Sequence, residues 1–581
     1  MMRARKRRTE AKNRGSNRPS GGRPQGRQAS WDRHAVSIIF ACVLVAYFPA
    51  LGAGFTNWDD DRFITDNPLF RGPVADYIVA ALTRIQFQAY HPLHLLSYLP
   101  DRLLWPQVPA GFHALNLVLF ALALTLGYFL LRRMVGVWSA LGGILLVGLA
   151  PLAVESVAWV VGRKDVLALL LVFATLLVED QEPRSRASTL AAWGLAVAAC
   201  LAKTSAVVIP ILVFAWLHFA RQVSFRESLR RVLPYVAIGL VFALPVPFIW
   251  RHHQMIPTGR PLPLVLDVLG TIGVYAGRVL VPVNLSPVYP ALAQGQVIAA
   301  LVVAAAILVL AGSWRRLSAG ARFAAVVFVG CLLPVANITP VYFRFADRYA
   351  LLALGALAWP LAQLLSWPRA RRVLWVVVPI ALVAEMATTL RLVPTWHDSL
   401  SLWQRATEVQ PRAVYAHLKL GETLREQKRY REAASSYLRA GELEPRGIKG
   451  PAGLLRTMGE RAENEGRIPP GTCDQWEQVI GDPAFDARKM GVLIDALDRS
   501  KCRQCAEAML WLGIRMFPQA DKSLVGFAQR ELNRDRPDLA MVYLSEVKDP
   551  STPGLADIKR RLDEGPLQGT PGAQPVPAGE N

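Results

Sequence analysis

Between residues 35 and 392 the chain repeats long apolar stretches with almost no charge inside them. Hydrocarbon offers no water to bond a backbone N–H or C=O, so such stretches read as membrane helices. The pattern excludes a disulfide-rich miniprotein, a mostly disordered chain and an ordinary cytosolic enzyme. The 65 basic and 44 acidic residues leave a formal charge of +21. Much of that excess sits in the N-terminal arm and at the ends of apolar runs. It therefore reads as a topology signal, and no nucleic-acid partner is expected.

Residues 1–34 hold eleven Arg or Lys, two acids (Glu10 and Asp32) and scattered Gly, Pro and Ser. They are expected to form a disordered basic arm on the cytoplasmic side. Ala35–Gly54 is long for a signal-peptide core and lacks a clear cleavage site after it, so it reads as an uncleaved first span. Further apolar runs cover 112–131, 134–152, 165–178, 189–202, 205–220, 231–250, 267–282, 295–311, 321–338, 349–366 and 373–392. Basic clusters at 132–133, 184–186, 221–231, 315–316 and 369–372 suit the cytoplasmic side. A single apolar run follows the last cluster, which puts the C-terminal region outside and requires an odd number of crossings. The run 267–282 is therefore expected to lie on the outer side without crossing. The fold class expected is an all-α polytopic membrane protein. It combines a bundle of about 11 transmembrane helices over 35–392, with 12 or 13 as alternatives, and an outer helical-repeat domain.

From Arg391 charge rises and span-like runs stop. With Val414 as position 1, Leu420, Gly421, Leu424, Tyr430, Ala433, Tyr437, Ala440 and Pro445 fill the small and large positions of a tetratricopeptide unit. Trp403, Ala406 and Pro411 repeat the large–small–proline triplet 34 residues earlier. Helical repeats are expected over 393–563, clearest at 414–447, with degenerate helical pairs at 487–520 and 521–550. A disordered tail is expected over 564–581. Such repeats usually present a concave face to a protein; the alternative is a short cap on the membrane domain. Cys42, Cys200 and Cys331 read as buried packing residues. Cys473, Cys502 and Cys505 lie in the outer region, where Cys502 and Cys505 read as a disulfide or free thiols.

Three outer loops carry the candidate chemistry. The first, 55–111, opens with Asn57-Trp58-Asp59-Asp60-Asp61, and continues with Tyr90-His91-Pro92-Leu93. Three adjacent acids repel one another, and the cluster suits a base or ligands for a divalent metal such as Mg or Mn. The second, 153–164, carries Glu155, Arg163 and Lys164, with Asp165 just beyond; its cations can hold a phosphate and its acids can pair with cations. Lys203, between two apolar runs, either snorkels or contacts an anion. The third, 337–348, runs through Tyr342, Arg344, Asp347 and Arg348 to Tyr349; the two arginines, four apart, would share a helical face.

In order along the chain, these segments resemble the polytopic GT-C glycosyltransferases. They resemble especially bacterial relatives of the transmembrane and tetratricopeptide-repeat-containing O-mannosyltransferases. The matching marks are Trp58-Asp59-Asp60, Tyr90-His91-Pro92-Leu93, Glu155-Ser-Val-Ala-Trp159, Gly162-Arg163-Lys164-Asp165, Lys203, Leu285-Ser286-Pro287-x-Tyr289-Pro290 and Ala346-Asp347-Arg348-Tyr349. The resemblance implies an inner-membrane enzyme with a cytoplasmic N-terminus and periplasmic repeats. It would transfer a sugar, mannose among the candidates, from a polyprenyl phosphate to a periplasmic acceptor such as a protein hydroxyl, with inversion. It implies Asp59 and Asp60 as the acidic pair and Arg348 on the phosphate side. Arg344, Lys203, Arg163 and Lys164 join it as donor-phosphate candidates, supported by His91, Glu155, Asp165 and Asp347. Metal use at Asp59, Asp60 and Asp61 stays open. The sequence departs from the family pattern at Ala150, Ala153 and Leu351. The competing readings are an envelope assembly protein that binds a partner through its repeats, and a transporter.

Overall fold

A computed structural model describes residues 25–87, 89–252, 262–290, 293–339, 343–369, 371–444, 449–464, 521–533, 537–545, 547 and 549–563. The basic arm before residue 25, Tyr342, the segment 487–520 with Cys502 and Cys505, Cys473, and the tail 564–581 lie outside them. The chain divides into two compact units, Met1–Arg405 and Ala406–Asn581. Among the described residues the elements are helices, with a lone bridge between Gln86 and Ala89 and no sheet.

The first unit is a multi-pass membrane bundle. Six of its described helices are long and apolar enough to cross a bilayer: Ser30–Gly52, Pro109–Arg132, Phe225–His252, Gly295–Arg316, Asp347–Leu365 and Arg372–Trp396. A seventh crossing results if Val137–Gly148 and Pro151–Ala158, bent by 55° at their junction, count as one. This corrects the expectation of about 11 spans. The apolar runs at 189–202, 205–220 and 321–338 belong to shorter helices of 10–17 residues. Arg163–Glu179 and Leu264–Leu280 are 17 residues each. At 1.5 Å per residue such a helix falls short of a hydrocarbon core about 30 Å thick. Apolar composition identified segments buried by neighbouring helices as well as segments facing lipid.

Burial separates the two kinds. The apolar window of Pro109–Arg132 is 61% buried inside the protein and that of Asp347–Leu365 is 56%, against 6% for Gly295–Arg316 and for Arg372–Trp396. The first pair forms the core with Arg163–Glu179 and Val137–Gly148, while the second pair presents apolar side chains outward. Cys200 and Cys331 are buried free thiols, and Cys42 is half-buried.

In the second unit Val414–Glu426 and Tyr430–Leu443 form a helical hairpin. A Cβ on Gly421 would lie 2.9 Å from the Tyr437 ring, so a small residue is needed where the two helices meet. Ala433 and Ala440 are buried on the same helix as Tyr437.

Candidate functional site

Breaks in helices bring the three loops together. After the first span the chain turns at Asp59, whose φ of +77° is a left-handed conformation that costs a non-glycine residue energy. That turn buries Trp58 and Asp60 and leaves the Asp59 side chain 38% exposed beside Arg62, 3.8 Å away. Asp60 is 1% exposed. Its carboxylate accepts the Thr56 N–H at 2.8 Å, the Thr56 hydroxyl at 3.0 Å and the Val161 N–H at 3.3 Å. Burial pushes the Asp60 carboxyl up to about 7, against the lowering effect of these hydrogen bonds.

The second loop is a tight knot of short helical turns. A Cβ on Gly162 would sit 2.5 Å from the Ser156 carbonyl oxygen, so the knot closes only with glycine there. Arg163 follows and is 0% exposed. Its Nε donates to Asn116 at 2.6 Å. One terminal nitrogen donates to the Ser97 carbonyl at 2.9 Å and to Asp101, and the other to Asp101 at 3.2 Å and the Phe112 carbonyl at 3.0 Å. All five donors are engaged, which leaves none for a phosphate. Arg163 thus ties loops one and two to the span Pro109–Arg132.

Lys164 points elsewhere. Its ammonium lies 4.7 Å from the Trp159 ring centre and 5.8 Å from that of Phe63. Arg348 approaches the same indole at 5.4 Å and Trp58 at 5.5 Å. Trp58 packs edge-on against Phe343 at 4.9 Å and Trp403 at 5.3 Å, while Trp159 stacks on Trp396. Two cations from distant loops therefore meet on one aromatic wall. Arg348 is also bound to Glu155, and Lys203 to Asp165. Lys203 faces the Tyr349 ring at 5.7 Å. Beside it the Thr204 N–H donates to His91 Nε2 at 3.1 Å, which makes that nitrogen an acceptor and His91 neutral. Burial, with Lys164 and Lys203 nearby, holds the His91 pKa down to about 3.

Arg344 is not on a shared face with Arg348. The backbone at Ala346 is extended (φ −154°, ψ 141°) and helical geometry starts only at Asp347, so the four-residue spacing has no helix to act through. Arg344 instead pairs with Asp267. Asp347 turns the other way and accepts from the Tyr289 hydroxyl at 2.7 Å. Behind it stands Arg278, a residue the loop-centred reading missed. Its guanidinium lies 3.5 Å from the Tyr289 ring centre and 3.7 Å from the Asp347 carboxylate. An arginine inside the apolar run 267–282 was the available signal.

The three adjacent acids diverge. Asp59 leans to Arg62, Asp60 turns inward, and Asp61 accepts the Arg62 N–H at 2.9 Å. Among the described residues no group of three His, Cys, Asp or Glu is placed to hold a metal ion. This arrangement does not fit a shared divalent cation.

The fold and this buried polar centre define an all-α, multi-pass membrane protein. Over 227 residues the chain is 30% identical to the protein O-mannosyl-transferase Tmtc2 of Drosophila melanogaster, covering 36% of this chain and 24% of that protein. The chain is thus related, over part of its length, to a glycosyltransferase-like membrane family, and it spans about a quarter of that curated relative. No family model matches the sequence.

Proposed function

We propose that the chain is a membrane glycosyltransferase that moves a sugar from a polyprenyl-phosphate donor to an acceptor hydroxyl on the periplasmic side. The observation that carries this reading is the meeting of Lys164 and Arg348 on the Trp159 ring, next to the loop that turns at Asp59. A lipid-linked sugar joins an insoluble tail to a charged head, and a membrane bundle with a polar centre suits both ends. Lys164, with Arg348 beside it, would hold the departing phosphate and stabilise its charge. Asp59, partly exposed and held in a strained turn, is the better placed of the pair to take the acceptor proton. Asp60, with its oxygens engaged by Thr56 and Val161, would fix the turn that presents Asp59. In-line attack on the anomeric carbon would invert it. The partial similarity to an O-mannosyl-transferase supports a protein hydroxyl as acceptor and mannose among the donors. The N-terminus would be cytoplasmic, and the helical repeats would hold the acceptor protein.

The deciding experiment is transfer from a panel of polyprenyl-phosphate sugars to hydroxyl acceptors by the purified protein, compared with Asp59→Asn. Transfer by the wild type alone supports the reading. Transfer by both removes Asp59 from it. A protein that binds a partner through its repeats and never uses any lipid-linked sugar is an assembly factor instead.

A further inference from the structure

Four helices of the bundle enclose an apolar groove far from the polar centre. Its cavity is ≈ 250 Å³, and Ile38, Leu145, Leu365, Trp375, Val378 and Leu382 line it, drawn from all four helices. At about 1.5 Å per residue, the chain from Trp375 to Trp396 covers roughly 30 Å, the thickness of the hydrocarbon. Trp396 belongs to the aromatic wall of the candidate site, so the groove lies toward the opposite face of the bilayer. We propose that this groove binds one acyl chain of an anionic phospholipid, with the headgroup held by Arg369 and Arg372.

The last span carries the argument. Arg372, Trp375, Val378 with Pro379, and Leu382 recur at three- and four-residue steps, so they share one helical face. That face runs from a cation to an indole to apolar side chains, which is the order of phosphate, ester region and chain in a phospholipid. The facing helix repeats the order from the indole onward, with Trp138 followed by Leu141, Gly142 and Leu145. Trp138 lies 6.5 Å from Trp375 and 5.7 Å from Trp31, ring centre to ring centre. All three indoles are about half exposed, as suits a belt at the hydrocarbon boundary. A Cβ on Gly142 would lie 2.8 Å from a Leu365 methyl and 3.8 Å from Val378, so the missing side chain helps keep the groove open.

Charge selects the occupant. Arg132 and Arg133, near the same end, are paired with Asp32 and Asp180. Arg369 and Arg372 are exposed and have no ion pair among the described residues. Close-packed proteins leave few voids of this size, and an apolar one stays dry and accepts an apolar ligand. A helix from a second copy, about 10 Å across, is too wide for it. A polyprenyl phosphate held at Lys164 would carry its head at the other face. A phospholipid of this leaflet with a negative head satisfies both the groove and the two arginines.

The test titrates the full-length protein in detergent with dioleoyl phosphatidylglycerol and dioleoyl phosphatidylcholine, which share their chains, and counts bound lipids by native mass spectrometry. Wild type should bind one phosphatidylglycerol roughly 20-fold tighter than phosphatidylcholine. The exposed double change Arg369→Gln/Arg372→Gln should erase that preference and leave phosphatidylcholine binding as it was. Val378→Trp, which fills the groove, should weaken both lipids about 10-fold; the arginine variant decides alone if this one does not fold. Equal binding of the two lipids by wild type overturns the proposal. So does a tight site that survives in the double variant, or in folded Val378→Trp. Displacement of phosphatidylglycerol by equimolar polyprenyl phosphate would give the groove to an isoprenoid tail and overturn it as well.

Discussion

The carboxylate of Glu155 receives the backbone N–H of Arg348 at 2.8 Å and the guanidinium of the same residue, across 193 residues of chain. Both side chains are buried. Taking two charges out of water costs several kcal/mol each, so the pair is not a large net gain over apolar residues. Breaking it is another matter, because one charge is then stranded. Glu155→Ala should lower stability by about 3–5 kcal/mol. The double variant Glu155→Leu/Arg348→Met should recover much of that loss while abolishing transfer. Chemical denaturation in detergent measures both. Additive losses in the two single variants and the double would mean that the two groups do not depend on each other.

Adjacent cations should separate by role. Arg163 donates five hydrogen bonds in full burial, and a lysine cannot reproduce that planar fork. Arg163→Lys should therefore cost stability, by about 3 kcal/mol or more, and lower the yield of folded protein. Lys164→Ala should leave the melting temperature nearly unchanged and weaken donor binding roughly 10- to 100-fold, as expected for losing a charge-assisted hydrogen bond. Donor titration beside thermal melting distinguishes them. The reverse pattern would reassign the two residues.

Much of this centre was legible before folding. Trp58-Asp59-Asp60, Glu155, Lys164, Lys203 and Arg348 all stood out as charge beside apolar helix ends, and the structure gathers them. What the sequence concealed was orientation. Nothing in the order Gly162-Arg163-Lys164 says which cation turns inward, since that depends on Asp101 and Asn116 from other elements. The Arg344–Arg348 spacing implied a helical face, but the extended backbone at Ala346 removes the helix on which the rule depends. The span count failed for a related reason. Apolar composition reports burial, and a helix of 17 residues buried by its neighbours looks much like one buried by lipid. Arg278 was hidden because its partners, Tyr289 and Asp347, are not its neighbours in the chain.

Asp60 makes a pH prediction with a definite sign. Burial raises its folded-state pKa from 3.8 to about 7, so folding favours the protonated form. Its contribution is fully present below pH 4 and is lost as pH rises toward 7. The expected effect is a stability that falls between about pH 4 and 7 by on the order of a few kcal/mol from this group. Asp60→Asn, which stays neutral, should flatten that fall. Unfolding midpoints at pH 5 and pH 8, for wild type and variant, are the measurement. His91, whose folded pKa is held down to about 3 against an ordinary 6.5, contributes the opposite slope, a gain in stability as pH rises from about 3 to 6.5, so the difference between wild type and Asp60→Asn isolates the carboxyl. An unchanged slope in Asp60→Asn would place the titration elsewhere.

Glu385 tests whether an intramembrane carboxyl can be structural baggage. It lies half-buried in the last span, Arg372–Trp396, and its Oε2 is buried without a hydrogen-bond partner. One turn further on, Thr389 donates to the Leu149 carbonyl at 2.8 Å, so this face of the helix packs against the bend between Val137–Gly148 and Pro151–Ala158. A polar group buried there without a partner costs about 1–3 kcal/mol by mutational comparison. Glu385→Leu should therefore raise stability by about that amount and leave transfer intact, because it lies in the last span and not in the three convergent loops. Thermal melting in nanodiscs and a transfer assay on the same preparation give both readouts. A stabilised variant that loses transfer would show that the carboxyl is retained for function, and a destabilised one would show that it has a partner.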